Sequence, residues 1–283
     1  MGHPFSEKDI EVCGLNLRIK LWGHPPNPPI LALHGWQDNA ASFDSLGVEM
    51  SGYQIAAMDL PGHAFSDARP WGCTYHFVDW FGYIKGVLQK LNWSQCHLLG
   101  HSLGANIAAF YAAFFPKEVK KLVLIEGIGP LSSTYQEIPQ RLIKNIEMRT
   151  FLSQKPKKIY ASIDQAIDAR CSNADISREA ATLLASRGVR ESENGFYWHN
   201  DPQLKLLSPH RFTENQVQFI LKMIQSQTLI LQAQGPSILA PEILNQRADC
   251  IAHKTIKSFE GNHHFHLDSA STVAKEINNF LKN

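Results

Sequence analysis

Short apolar runs alternate with longer stretches of helical periodicity over the first 128 residues and again after residue 224. That alternation predicts a mostly parallel sheet with helices on both faces. Residues 10–22 alternate apolar and polar side chains, as an antiparallel edge strand or hairpin does. Residues 29–33, 53–60, 96–99 and 121–125 read as short buried strands, and 228–231 and 255–259 as the last two. Phe77, Trp80, Phe81, Ile84, Val87, Leu88 and Leu91 fall on one helical face. An Ala-rich stretch at 103–115 predicts a buried helix, and Val273, Ile277, Phe280 and Leu281 mark a C-terminal one.

Between 129 and about 223 the strand rhythm stops. Helical patterns at 142–148, 163–169, 178–185 and 214–223 are separated by polar or proline-containing links. The expected organisation is therefore an α/β core over 1–129 and 224–283, with a helical lid inserted at 130–223. Lids of this kind shape a site and exclude water.

Composition changes little in this picture. The chain has 283 residues, 44% hydrophobic and 19% charged, with a net charge of +1, the profile of an ordinary globular protein. Without basic clusters there is no footprint for nucleic acid or an anionic membrane. The five cysteines are scattered with no C-x-x-C pair, which points to reduced thiols. The N-terminus lacks a signal-peptide pattern, and the longest apolar run, 105–115, is too short to cross a bilayer. Met1-Gly2 followed by Ser6 matches a myristoylation pattern only formally. The chain is expected to be cytoplasmic, a monomer or homodimer, with a small-molecule partner and neither nucleic acid nor membrane.

Chemistry enters at Gly100-His101-Ser102-Leu103-Gly104. This is G-x-S-x-G between a predicted strand and a predicted helix, the setting in which a serine is held on a strained turn with its oxygen projecting above a sheet. A serine hydroxyl needs a neighbouring base. Thirteen histidines are available, and His263 is the choice, because its loop follows the last strand and so opens at the sheet edge where the serine lies. His266 is expected to pack beneath the site and His264 to be a solvated neighbour. The spacing of the three matches no standard zinc pattern. An oxyanion would be met by the backbone N–H of Leu103, after the nucleophile, and of Trp36, in the His34-Gly35-Trp36 loop after the predicted strand at 29–33.

Four segments together resemble α/β-hydrolase-fold serine hydrolases, and more narrowly the serine hydrolase-like proteins. They are residues 33–44 (LHGWQDNAASFD), Asp59-Leu60-Pro61-Gly62-His63, Gly100-His101-Ser102-Leu103-Gly104 and Gly261-Asn262-His263. The resemblance implies a triad completed by a carboxylate. In many such enzymes the acid follows the strand after the lid, but residues 232–241 (QAQGPSILAP) contain none. Glu126, 24 residues after Ser102 at the end of the following strand, offers a replacement resembling the acid of pancreatic-type lipases. Asp59 and Asp38 are read as loop-pinning carboxylates, and His63 as a loop residue supporting the site.

The expected activity is cleavage of small or medium carboxylic esters through an acyl-enzyme, with no cofactor or metal. Thioester or carbon–carbon bond hydrolysis, a cofactor-free haloperoxidase-like activity and a non-catalytic binder of the same fold are the alternatives. Dehalogenase and epoxide hydrolase are disfavoured, since the families resembled there carry aspartate at the elbow. The sequence leaves substrate contacts open, with His34, His101 and Trp198 as candidates. Residues 197–201 read equally as an aromatic anchor fastening the lid.

Overall fold

Strands β1 (Ser6–Val12) and β2 (Leu15–Trp22) form an antiparallel hairpin at one sheet edge. Its two-residue turn, Cys13-Gly14, has φ of 53° and 75°, the left-handed pair that suits strand twist in a tight hairpin. Six parallel strands follow: β3 (Pro29–Leu33), β4 (Gln54–Met58), β5 (Cys96–His101), β6 (Val119–Ile125), β9 (Gln227–Ala233) and β10 (Lys254–Phe259). The sheet order is β1-β2-β4-β3-β5-β6-β9-β10. Within this sheet, among the described residues, only β1–β2 and β2–β4 pair antiparallel. The computed structural model describes residues 5–206, 208–235 and 238–283. Met1 and Gly2 of the myristoylation pattern, and Pro236 and Ser237 of the carboxylate-free stretch, lie outside the described residues.

The central strands are continuously apolar because both faces are covered. Leu31, Leu33, Leu98, Leu122, Leu124 and Ile230 enter one core. There they pack with helices α2 (Trp80–Lys90), α3 (Leu103–Phe114), α7 (Glu214–Leu221) and α8 (Pro241–Asp249). The alternate residues Ile30, Ala32, Leu99, Val123, Ile125, Leu229 and Leu231 face the other core, under α1 (Asp44–Glu49) and α10 (Ala270–Lys282).

Between β6 and β9 lie α4 (Ile138–Gln154), α5 (Ile163–Asn173), α6 (Arg178–Gly188) and α7. Ser162, Ser177 and Thr213 cap the last three, each side chain accepting a first-turn amide. Ile167, Ile176, Ala181 and Leu184 form a small core of their own between α5 and α6. The helical expectation for this segment omits a hairpin, β7 (Val189–Ser192) and β8 (Gly195–Trp198), and the segment ends in α7, whose Val217 and Leu221 belong to the main core. Arg187, at the end of α6, reaches into the body of the protein. Its guanidinium donates through Nε to both oxygens of the fully buried Asp59 at 3.0 Å and through an amino group to Glu7.

Candidate active site

All parallel strands deliver their carboxyl ends to one edge, where open α/β sheets bind ligands. Ser102 follows β5, Glu126 follows β6, and His263 follows β10. Ser102 has φ 52° and ψ −113°, a backbone that a side-chain-bearing residue holds only under strain. Two restraints impose it. The Ser102 N–H donates to Ile125 O at 2.8 Å, and glycine at 104 lets α3 lie against β3, where a Cβ would collide with the Leu33 carbonyl. Glu126 is also left-handed, at φ 55°, with its N–H donating to Leu231 O at 3.0 Å. Gly127 then leaves room for the Ser102 carbonyl and the Asn106 side chain.

The Nδ1–H of His263 donates to Glu126 Oε2 at 3.0 Å. The other oxygen, Oε1, accepts the Ala233 N–H at 2.5 Å. The Glu126 side chain is 6% exposed and that of His263 19%, so the carboxylate is nearly dry while the imidazole reaches the cavity. A donor at Nδ1 leaves Nε2 of the neutral ring as an acceptor. Ser102, Glu126 and His263 all line one cavity of about 510 Å³, together with Trp36 and Leu103. Among the described residues, neither backbone N–H expected at the oxyanion position, Trp36 or Leu103, is engaged in a hydrogen bond. The Trp36 ring, half exposed, donates to Leu204 O at 3.1 Å.

The loop carrying His263 is anchored from beneath. Asn262 accepts the His264 N–H at 2.8 Å. His101 Nε2–H donates to the His263 carbonyl at 3.0 Å. The His101 ring lies beside Asp38, and glycine at 35 is what admits both groups, since a Cβ there would strike each of them. Burial holds His101 down at about 4 despite Asp38, so it is neutral. His264 is not solvated, as expected from the sequence, but 4% exposed. Its two ring nitrogens face Asp38 Oδ2 at 3.3 Å and Asp175 O at 3.2 Å, both acceptors. Burial works against a charge there, yet Asp38 outweighs it and raises the His264 pKa. The short turn into α9 (Phe265–Asp268) folds the ring inward, toward a buried carboxylate.

Asp38 itself is buried against desolvation that favours its neutral form, but His264 and Arg170 hold its pKa well below the usual value. Arg170 of α5 donates to Asp38 Oδ1 at 2.6 Å. Donor atoms of Asp38, His101 and His264 lie within 4.8 Å of one another, close enough for a metal, but the Arg170 guanidinium already supplies the cation. His266 is fully buried, bonded to Ser42 Oγ at 2.9 Å and held neutral by burial.

His34, His101 and Trp198, the candidates for substrate contact, do not line the cavity. His34 is buried, giving Nδ1–H to Gly35 O and accepting the Leu60 N–H, and burial depresses it to about 4. Trp198 donates to Ala166 O inside the insertion. His63 accepts the Gln37 N–H at 3.1 Å. Asp59 accepts the Ala40 and Phe65 amides at 2.8 and 3.2 Å, besides pairing with Arg187. Within 197–201, His199, Asn200 and Asp201 bond Ala64 O, Gln37 O and Tyr75 Oη, which fastens the insertion to the core. The sequence carried no signal for Arg170 or Arg187, since an arginine on a polar helix reads as solvated until its partner is known. No helix among the described residues is long and apolar enough to cross a membrane.

The alpha/beta hydrolase fold family model matches residues 28–270. A probable serine hydrolase of Drosophila melanogaster is 34% identical over 98% of this chain and 88% of its own length. A serine hydrolase-like protein of Danio rerio is 27% identical over 100% of this chain and 90% of its own. The crystal structure of a hypothetical protein from Pseudomonas aeruginosa superposes with a TM-score of 0.93 at 32% identity, covering 98% of this chain and 99% of that one. The parallel sheet, the serine on its strained turn and these likenesses agree, and the chain belongs to the α/β-hydrolase-fold family as a hydrolase similar to the serine hydrolase-like proteins.

Proposed function

We propose that the protein is a serine esterase that hydrolyses small or medium carboxylic esters through an acyl-enzyme, with Ser102, His263 and Glu126 as its triad. The observation that carries this reading is the His263–Glu126 hydrogen bond at 3.0 Å in the cavity that Ser102 also lines. A bond to Nδ1 fixes the tautomer whose Nε2 can take a proton, and a carboxylate on that side stabilises the imidazolium as it forms.

In this mechanism the Ser102 oxygen attacks the ester carbonyl as His263 Nε2 accepts its proton. The carbonyl electrons move onto oxygen, where the Leu103 and Trp36 amides stabilise the charge. Collapse of that intermediate expels the alcohol, which leaves with the proton from His263. Water, deprotonated by the same nitrogen, then attacks the acyl-serine and releases the acid. Residues 130–223 act as the cap over this chemistry, held to the core through Arg170, Arg187 and Asp201.

A fluorophosphonate probe tests the reading. Ser102 is expected to be modified covalently, and Ser102→Ala to abolish both labelling and turnover of p-nitrophenyl esters. Folded protein that takes no label between about pH 6 and pH 9 would favour a non-catalytic binder.

A further inference from the structure

The wall of the shared cavity is largely apolar, with Phe77, Trp80, Ile128, Leu131, Phe212 and Leu244 among its members. Arg211 breaks that character. It is half-buried, it lines the same cavity, and among the described residues it makes no hydrogen bond and no ion pair.

Its surroundings do not neutralise it. Burial and the nearby Arg141 both push its pKa down, and only Glu137 pulls the other way. One oxygen of the Glu137 carboxylate, Oε2, already accepts the Thr134 N–H and hydroxyl. Arg141 faces the Ser208 carbonyl, which carries no charge. Glu214, three residues on, is taken by Arg247 at 2.7 Å. Among the described residues, the one carboxylate in the cavity wall, Glu126, spends its two oxygens on His263 and the Ala233 amide. Lys205 adds a second positive group to the lining.

A guanidinium cannot discard its proton in a protein, so leaving one partly desolvated and unpaired is unfavourable until an anion arrives. Its planar fork matches the two oxygens of a carboxylate or phosphate. We propose that Arg211 receives an anionic group of the substrate, so that the preferred esters carry a negative charge away from the bond that is cut. This rests on the esterase reading of the same cavity.

The hydrolysis test compares mono-p-nitrophenyl suberate, which carries a free carboxylate, with its neutral methyl ester. Wild-type kcat/KM is expected to favour the anion by about 10- to 100-fold. That ratio should fall toward one in Arg211→Gln and recover in part in Arg211→Lys. A ratio near one in wild type, or one untouched by Arg211→Gln, overturns the proposal.

A binding test separates this failure from that of the esterase reading. Calorimetry on Ser102→Ala should show monomethyl suberate binding at least about tenfold tighter than dimethyl suberate, with the difference erased by adding Arg211→Gln. Loss of labelling and turnover with this difference intact would remove the esterase and leave the anion site standing. Hexyl phosphate in the same titration tells phosphate from carboxylate, and equal, weak binding of both anions and the neutral diester overturns the site.

Discussion

Glu126 Oε2 accepts the Nδ1–H of His263 at 3.0 Å across 137 residues of sequence. The pair meets because β6 and β10 flank β9 and all three run the same way. Glu126→Gln keeps the shape but cannot hold the tautomer through a charged partner. Ester kcat is expected to fall about 10³- to 10⁴-fold with KM little changed and the melting temperature near wild type. Near-normal turnover would remove Glu126 from the triad.

Much of this was readable in the chain itself. The strand at Pro29–Leu33, the elbow at 100–104 and the long buried helix after it follow from apolar runs whose alternation stops at glycine-rich turns. The pairing of Glu126 with His263 was readable because the alternative loop holds no carboxylate. The fate of His264 was not, because a histidine in a polar run looks solvated, and its partner Asp38 lies 226 residues away. The β7–β8 hairpin escaped for a different reason: four-residue strands are too short to display a period.

Acid should destabilise the fold well above the carboxylate range. His34, His97 and His101 are depressed by burial to about 4 and His63 to about 3, with His266 lowered as well. Each stays neutral in the fold but takes a proton once unfolded below about pH 6.5. The unfolded chain therefore binds more protons than the native one, and stability falls as pH drops from about 6.5 toward 4. His264 runs the opposite way: its raised pKa adds stability at low pH that fades as pH climbs through its folded value. Five groups against one set the net direction. The urea midpoint should be clearly lower at pH 5 than at pH 7.5, and equal midpoints would contradict the assignment.

Arg187 joins the insertion to the body through a buried charge pair. Arg187→Ala leaves Asp59 charged and uncompensated, with an expected loss of about 3–5 kcal/mol in denaturant unfolding. The double variant Arg187→Met/Asp59→Asn removes both charges and should recover part of that loss. If the double variant is as unstable as the sum of the two single changes, the pair is not coupled.

Gly104 tests the packing under the elbow. A methyl group there would enter the Leu33 carbonyl, which is backbone and cannot swing away. Gly104→Ala should cost about 3 kcal/mol or more, or yield insoluble protein. Gly52→Ala is the control, since a Cβ there has nothing within 4 Å. Similar melting temperatures for both variants would refute the close approach of β3 and α3.

The turn after β9 contributes Ile238 and Leu239 to the cavity wall, while the carboxylate that meets His263 stands on the neighbouring strand. Under the proposed triad, selectivity and proton handling fall to separate stretches of chain. Substitutions in that turn could retune which molecules fit without disturbing the imidazole, giving the scaffold a freedom to diversify that a carboxylate housed there would deny it.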